Sequence, residues 1–334
     1  MKKIIAYGVR KDEMPYFKKW AADNSDVQVK TEPKLLDDST VAEAKGFNGV
    51  VAYQQKPYTA SVLDQLGSYG IKALSLRNVG VDNVDVKALK KNGIKLTNVP
   101  VYSPEAIAEL AVTDMMRLIR RSKIFDIKQS KGDLRWAPNV ADEMDKMTVG
   151  IFGTGHIGRM VLKIVRDGFG ANVIGYDPYP NPQLKKEGIY VKTPKELYEK
   201  SDIITLHAPA LKSNYHMVDA KAFSEMKDGA YLINAARGSL VDTDALIKAL
   251  DSGKLQGAGL DTYENEVGNF NKNFGSFDKI PDARLKNLMK RDNVIVTPHI
   301  AFYTKVAVKN MVEFSMSANK ALLDTGKSDK LVKF

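Results

Sequence analysis

The chain has 334 residues, no cysteine, and 50 Lys+Arg against 40 Asp+Glu, for a formal charge of +10. This excludes a disulfide framework, thiolate chemistry and cysteine-bound metal. With 44% hydrophobic and 27% charged residues, the composition is that of an ordinary globular protein with chain enough for two cores. No stretch approaches the roughly 18 apolar residues of a membrane span, and the apolar run in MKKIIAYGVRKDE is too short for a secretory signal, so a cytoplasmic location is expected. The lysines are scattered over helical patterns without an arginine–aromatic cluster. They read as solvated faces rather than a nucleic-acid surface, and their field favours small anions.

The first hundred residues alternate strand patterns, at 3–9, 27–29, 49–53, 72–77 and 95–99, with helical patterns around 13–24, 40–44, 61–69 and 85–92. Such alternation implies a parallel sheet covered on both sides. Ser103 and Pro104 then suit the start of a long helix whose apolar stripe runs through Ile107, Leu110, Ala111, Met115, Leu118 and Ile119. The polar segment 123–140, with Trp136, is expected to wrap the surface. A second alternating series has strands at 149–152, 173–176, 203–207, 230–235, 257–260 and 294–297, and a helix over 306–323 closes the chain. The fold class expected is α/β, with two doubly wound parallel-sheet domains of Rossmann-like or flavodoxin-like form; the last helix could return to the first of them.

The second series opens with the stretch 148–177, TVGIFGTGHIGRMVLKIVRDGFGANVIGYD, read as strand, glycine turn, helix, strand and acid. In Gly153-Thr154-Gly155-His156-Ile157-Gly158 the first glycine permits a tight turn, the second admits a pyrophosphate, and the third packs helix on strand. The helix N-terminus supplies partial positive charge for phosphates. Asp177, nineteen residues beyond Gly158, is placed to accept hydrogen bonds from ribose hydroxyls and to repel a 2′-phosphate, which favours NAD over NADP.

A bound nicotinamide implies hydride transfer, and reduction of a carbonyl needs a proton donor and a cation for the substrate carboxylate. Of the four histidines, His156 lies in the phosphate turn, and His207, with Ala208 and Pro209, falls at a strand end on the cofactor side. His216 reads as structural. His299, after the strand 294–297 and Pro298, is the best donor. Arg237, just beyond another strand, offers a two-pronged match to a carboxylate, with Gly238 allowing a sharp turn. A carboxylate in Asp261-Thr262-Tyr263-Glu264-Asn265-Glu266 would hold the imidazole proton, but spacing does not separate Glu264 from Glu266. No metal-ligand set stands out.

These strings, together with 206–209, 234–242, 260–266 and 297–303, resemble the D-specific 2-hydroxyacid dehydrogenases over essentially the whole length. The resemblance puts the catalytic arginine on Arg237, the histidine on His299, and the glutamate on Glu266, five residues after Asp261. It adds Asn214, Ala235, Ala236 and Asp261 to the NAD site. The backbone amides of Val79 and Gly80 would hold the substrate carboxylate, and Tyr53, Tyr102, Phe302 and Tyr303 would line the side-chain pocket. The insertion over 268–293, with Val267 where the broad family has proline, is similar to the lactate and hydroxyisocaproate branch. The family further implies a substrate domain of residues 1–101 plus 300–334, an NAD-binding domain of 102–299, a cleft between them, and a homodimer built on the NAD-binding domain. Pyruvate or a branched 2-oxo acid is the implied substrate; a NAD-sensing corepressor-like protein is the alternative of another class.

Overall fold

The chain, described over residues 1–334 in a computed structural model, divides into two units: Met1–Ser103 with Tyr303–Phe334, and Pro104–Phe302. The first runs β1 (Lys2–Tyr7), α1 (Met14–Asp23), β2 (Val27–Glu32), β3 (Gly49–Ala52), α2 (Ala60–Ser68), β4 (Ala73–Leu76), α3 (Val86–Lys91) and β5 (Lys95–Thr97). Its strands are all parallel, in the order β2-β1-β3-β4-β5. Successive residues of β1 enter opposite layers. Ile5 and Tyr7 join Val50, Leu63 and Leu66 on one face; Ile4 and Ala6 join Phe17, Trp20 and Val51 on the other. A strand buried on both faces reads as a continuous apolar run, which is why β1, β3 and β4 are visible in the sequence. The helical pattern at 40–44 is a single 3₁₀ turn, Val41–Ala44.

The second unit begins with α4 (Pro104–Ile119) and α5 (Ser122–Ser130), and continues β6 (Thr148–Phe152), α6 (His156–Lys163), β7 (Asn172–Tyr176), α7 (Pro182–Lys186), α8 (Pro194–Lys200), β8 (Ile203–Leu206), α9 (Ala220–Glu225), β9 (Ala230–Asn234), α10 (Thr243–Asp251), β10 (Leu255–Leu260), α11 (Ala283–Lys290) and β11 (Val294–Val296). Six parallel strands follow the order β11-β10-β9-β8-β6-β7, so the chain reverses direction across the sheet at β6. The polar segment expected to wrap the surface contains α5. That helix buries none of its residues, and it is tied down at its start by Lys123, whose Nζ donates to the carbonyls of Arg291 and Val294 at 2.6 Å each. Such a tie leaves no local sequence signal.

The final helix, α12 (Lys305–Thr325), belongs to the first unit. Val312 and Met316 pack against Ile4, Phe17 and Val51, and Asn319 Nδ2 donates to Val50 O at 2.9 Å and Ser75 Oγ at 3.0 Å. The Thr304 side chain caps this helix on Ala307 N, worth about 1 kcal/mol, and Gly326 ends it in the left-handed region.

Candidate active site

In the second sheet the register lines up Phe152, Leu206, Asn234, Leu260 and Val296 as one row across five strands. All five strands run the same way, so the residues that follow emerge at one edge. They are Gly153, His207, Ala235, Asp261 and Thr297, with Arg237 and His299 two residues further on. The carboxyl edge of a doubly wound sheet, next to the point where strand order reverses, is where such folds bind ligands.

The glycines of the turn divide their work. Gly153 sits at φ +91°, and a Cβ there would meet His207 O at 2.7 Å. A Cβ on Gly158 would lie 2.0 Å from Gly153 O, so α6 can sit this close to the turn only with a glycine here. At Gly155, by contrast, an added Cβ meets nothing within 4 Å. Its freedom serves open space at the start of α6, which is the cradle a pyrophosphate requires. Asp177 stands at the end of β7. Its Oδ2 accepts from Thr154 N at 2.7 Å and Thr154 Oγ1 at 3.0 Å, and its Oδ1 accepts from Tyr179 N at 2.8 Å. The carboxylate is thereby fixed beside the turn with lone pairs to spare for a diol. His156 begins α6 and is exposed, while Ile157 is half-buried.

His207 shares a hydrogen bond at 2.9 Å between Nε2 and Thr205 Oγ1, and its buried Nδ1 has no protein partner. Burial pulls the imidazole down to about 4, so it is neutral at working pH. Ala208, Ala235 and Ala236 are half-buried beside it on the same edge, and Pro209 is exposed. Asn214 braces the loop from within, its Nδ2 donating to Pro209 O at 2.8 Å and its Oδ1 accepting from Leu211 N at 2.7 Å. The open cradle, the fixed acid and the unsatisfied His207 nitrogen fit a dinucleotide.

Arg237 leaves β9 with its carbonyl held by Asn234 Nδ2 at 2.9 Å and its Nη1 donating to Ala236 O at 2.8 Å. The chain turns at Gly238, which opens the 3₁₀ turn Gly238–Leu240, although its φ is not left-handed. Its hydrogen is needed for a different reason: a Cβ would stand 2.1 Å from the Tyr263 carbonyl carbon. The arginine loop and the 261–266 loop are pressed together at that point. Asp242 then fixes the exit by capping α10, accepting from Asp244 N and Ala245 N at 3.0 Å each.

The two glutamates separate cleanly. Glu266 Oε1 lies 2.9 Å from His299 Nδ1, and its Oε2 accepts from Tyr263 N at 3.3 Å. Glu264 is engaged elsewhere, with His216 Nε2 at 2.7 Å and Arg284 Nη1 at 3.5 Å. His216, stacked on Tyr215 with centroids 3.9 Å apart, is thus part of a brace between loops. Burial works to lower the His299 pKa. The Glu266 hydrogen bond and charge, with the Asp261 charge, outweigh burial and the opposing Arg237 charge, and hold the imidazole above its ordinary value.

Asp261 carries the turn that presents His299. Its Oδ1 accepts from Thr297 Oγ1 at 2.6 Å and Ile300 N at 2.8 Å, its Oδ2 accepts from Ala301 N at 2.9 Å, and its carbonyl accepts from His299 N at 2.8 Å. These bonds sustain a left-handed His299, φ +57°, a conformation that costs a non-glycine residue on the order of 1 kcal/mol or more. The insertion supports the same loop: Phe270 packs on Tyr263, centroids 6.2 Å apart, and Asp282 accepts from the Tyr263 hydroxyl at 2.9 Å.

Asp114 was overlooked in the sequence. It is 2% exposed on α4, against Gly259 of β10, and has no partner for Oδ1. Burial, with the Asp261 charge adding and Arg117 opposing, pushes it up to about 7. The signal was present, since position 114 continues the buried stripe 107, 111, 118 at helical spacing.

The first unit brings together a different set. Tyr53 follows β3, and its phenol is pushed up by burial, with Arg10 opposing and Tyr102 adding. The Tyr102 carbonyl accepts from Asn310 Nδ2 at 2.8 Å, and the carbonyls of Val79 and Gly80 accept from Asn98 and Asn78 at 2.6 Å each. Tyr303 stands just before α12, half exposed. Phe302, at the end of the second unit, meets the His299 ring edge-on at 6.3 Å.

Residues 112–301 match the family model of the NAD-binding domain of D-isomer-specific 2-hydroxyacid dehydrogenases. A D-lactate dehydrogenase of Lactiplantibacillus plantarum is 57% identical over 332 residues, which cover 99% of each chain. The solved structure of a D-2-hydroxyisocaproate dehydrogenase superimposes with a TM-score of 0.89 at 43% identity, covering 99% of both chains. The NAD-complexed form of a D-isomer-specific 2-hydroxyacid dehydrogenase from Lactobacillus delbrueckii ssp. bulgaricus gives 0.86 at 39% identity, over 99% of this chain and 100% of that one.

Proposed function

The chain belongs to the D-isomer-specific 2-hydroxyacid dehydrogenases, and we propose that within this family it reduces pyruvate to D-lactate with NADH, reversibly. It is an NAD-dependent enzyme of that family, and no helix is long and apolar enough to cross a membrane. The observation that carries the catalytic reading, reduction of a 2-oxo acid with a protonated histidine as donor, is the His299–Glu266 contact at 2.9 Å, on the strand-end edge that also bears Arg237.

Arg237 binds the substrate carboxylate and, by its charge, polarises the neighbouring carbonyl. NADH, held on the glycine turn and Asp177, would supply a hydride from nicotinamide C4 to the carbonyl carbon. The carbonyl oxygen takes the electron pair of the broken π bond, and His299 delivers to it the proton held at Nε2. That nitrogen is the donor because Nδ1 is committed to Glu266. Glu266 keeps the ring protonated and aligned, and Asp261 holds the turn beneath it. In the cofactor site Gly153, Gly155 and Gly158 shape the phosphate cradle and Asp177 takes the ribose. The remaining NAD residues are Thr154, His156, Ile157, His207, Ala208, Pro209, Asn214, Ala235 and Ala236. Val79 and Gly80 amides contribute to carboxylate binding, and Tyr53, Tyr102, Phe302 and Tyr303 contribute to the substrate side chain. The first unit is accordingly the substrate domain, and the protein works with the cytoplasmic NADH pool.

A second copy of the chain is the partner that fits the segment after α5, where Leu134, Trp136 and Val140 are each 80% exposed. This supports a homodimer through the NAD-binding unit, which sedimentation of the wild type and of Trp136→Lys would test.

The substrate assignment is tested by NADH oxidation with pyruvate and 2-oxoisocaproate side by side, followed by chiral analysis of the product. Much higher kcat/KM for pyruvate with D-lactate formed is the expected result. A preference for the branched acid, the substrate class suggested by the hydroxyisocaproate dehydrogenase likeness, would keep the mechanism and replace the substrate. NADH binding without turnover of either acid would overturn the enzymatic reading.

A further inference from the structure

Arg10 lies in the loop between β1 and α1, within a run of four charged residues, Arg10-Lys11-Asp12-Glu13. Its guanidinium carbon stands 5.3 Å from the centroid of the Tyr53 ring and 5.4 Å from that of Tyr303. One planar cation therefore sits between two rings that come from distant parts of the sequence, both in the first unit. A guanidinium stacks on aromatic faces where an ammonium offers only a point charge.

The cation is anchored. Arg10 N donates to Glu13 Oε2 at 2.9 Å, and its Nη2 lies 3.3 Å from Glu13 Oε1. Glu13 is itself wholly buried and paired with Arg77, also wholly buried, at 3.1 Å. Arg77 in turn donates to the carbonyls of Tyr7 and Gly8 at 3.0 and 2.8 Å, at the end of β1. The chain of contacts thus runs from the sheet backbone through Arg77 and Glu13 to Arg10. Arg77 also lies 5.9 Å from the Tyr53 centroid. Tyr53 is therefore held by two guanidiniums, whereas Tyr303, 48% exposed, shares Arg10 with it and also meets Asp12, to which Arg10 Nε donates at 3.4 Å.

We propose that Arg10 is a positioning residue that sets the enzyme's selectivity for the substrate side chain by fixing the spacing of Tyr53 and Tyr303. This rests on the reading above that both tyrosines serve the side-chain end of the 2-oxo acid. Arg10 touches no reacting atom; it acts through the two rings. Without the guanidinium, Tyr53 stays against Arg77, while Tyr303 loses the cation it shares with Tyr53 and its Asp12 partner loses the brace from Arg10 Nε, so the spacing of the two rings is no longer fixed. The space between them then accepts a larger side chain at the expense of the fit to a methyl group.

The test compares kcat/KM for 2-oxoisocaproate and pyruvate in the wild type, Arg10→Ala, Arg10→Lys and Tyr53→Leu, with NADH affinity measured for each. The expected result is a ratio shifted toward the branched acid by roughly tenfold or more in Arg10→Ala, the worth of a methylene or two in an apolar pocket. NADH affinity is unchanged, and Arg10→Lys falls between Arg10→Ala and the wild type. Equal losses for both acids, with the ratio within about twofold, would mean that Arg10 is merely structural and would overturn the proposal. If Tyr53→Leu moves the ratio while Arg10→Ala does not, the proposal fails and the tyrosine reading stands. If neither moves it, the tyrosine reading fails and takes the proposal with it. Should Arg10→Ala not fold, Arg10→Gln and Arg10→Lys are judged by the same ratio.

Discussion

Asp114→Asn removes a carboxyl that burial raises from an ordinary 3.8 to about 7. In the unfolded chain the acid loses its proton near 3.8, whereas the folded protein keeps it until about pH 7. Between those values the native state binds more protons than the unfolded state, so stability falls as pH rises, and the loss is complete above about 7. A pKa gap of about three at about 1.4 kcal/mol each amounts to about 4 kcal/mol. Asparagine has no proton to lose. The difference in unfolding free energy between variant and wild type is then level below about pH 4, climbs to about pH 7, and is level again beyond. Any fixed cost of placing an amide against Gly259 cancels in that slope. Urea unfolding at a series of pH values between these limits, followed by circular dichroism, measures it. A difference that stays flat would mean that Asp114 ionises as an exposed carboxyl does, and the reasoning from burial and the Asp261 charge would be wrong.

Glu266→Gln leaves burial and Arg237 to lower the His299 pKa with only Asp261 opposing, so the decline of pyruvate reduction with rising pH begins at lower pH than in the wild type. A superimposable profile would assign the proton's support to another group. Arg237→Lys keeps the charge and loses the fork. KM for pyruvate rises, kcat falls, and kcat/KM drops roughly 100-fold, while an undiminished value would remove Arg237 from the carboxylate. Asp177→Ala raises the ratio of NADPH to NADH use. It also weakens NADH binding, by roughly tenfold, because Thr154 N loses its 2.7 Å acceptor and the glycine turn loosens. An unchanged cofactor ratio would discredit the ribose role.

What was legible in the sequence was whatever a strand and its next few residues encode locally. Gly153, His207, Arg237, Asp261 and His299 each follow an apolar strand, and parallel pairing in register carries all of them to one edge. Sequence spacing left Glu264 and Glu266 undecided because both lie on one loop. Tertiary partners separate them: His216 and Arg284 take Glu264, and His299 takes Glu266. The reason for Gly238 was equally hidden, since the Tyr263 backbone it must clear lies 25 residues away (263 − 238). Arg10 was lost in a charged run that resembles any solvated loop, because its partners Tyr53 and Tyr303 arrive only when the sheet and the last helix assemble.

The charges around His299 are opposed by design of the fold rather than by any single partner. Glu266 and Asp261 favour its proton, while burial and Arg237 disfavour it. On the proposed mechanism Arg237 is also the group that meets the substrate carboxylate. A bound 2-oxo acid then cancels much of the charge that works against the imidazolium, and His299 gains proton affinity when the substrate that needs the proton is present. Reduction turns the ketone into an alcohol and leaves the carboxylate in place, so His299 stays under the same bias toward reprotonation after donating. Product release restores the unscreened arginine and returns the ring to its resting balance. The same coupling, read in reverse, requires that a deprotonated His299 bind the anionic substrate less well. Arg237 and His299 therefore form one electrostatic unit with the substrate, and the Gly238 contact presses the Arg237 loop against the loop whose Glu266 holds His299.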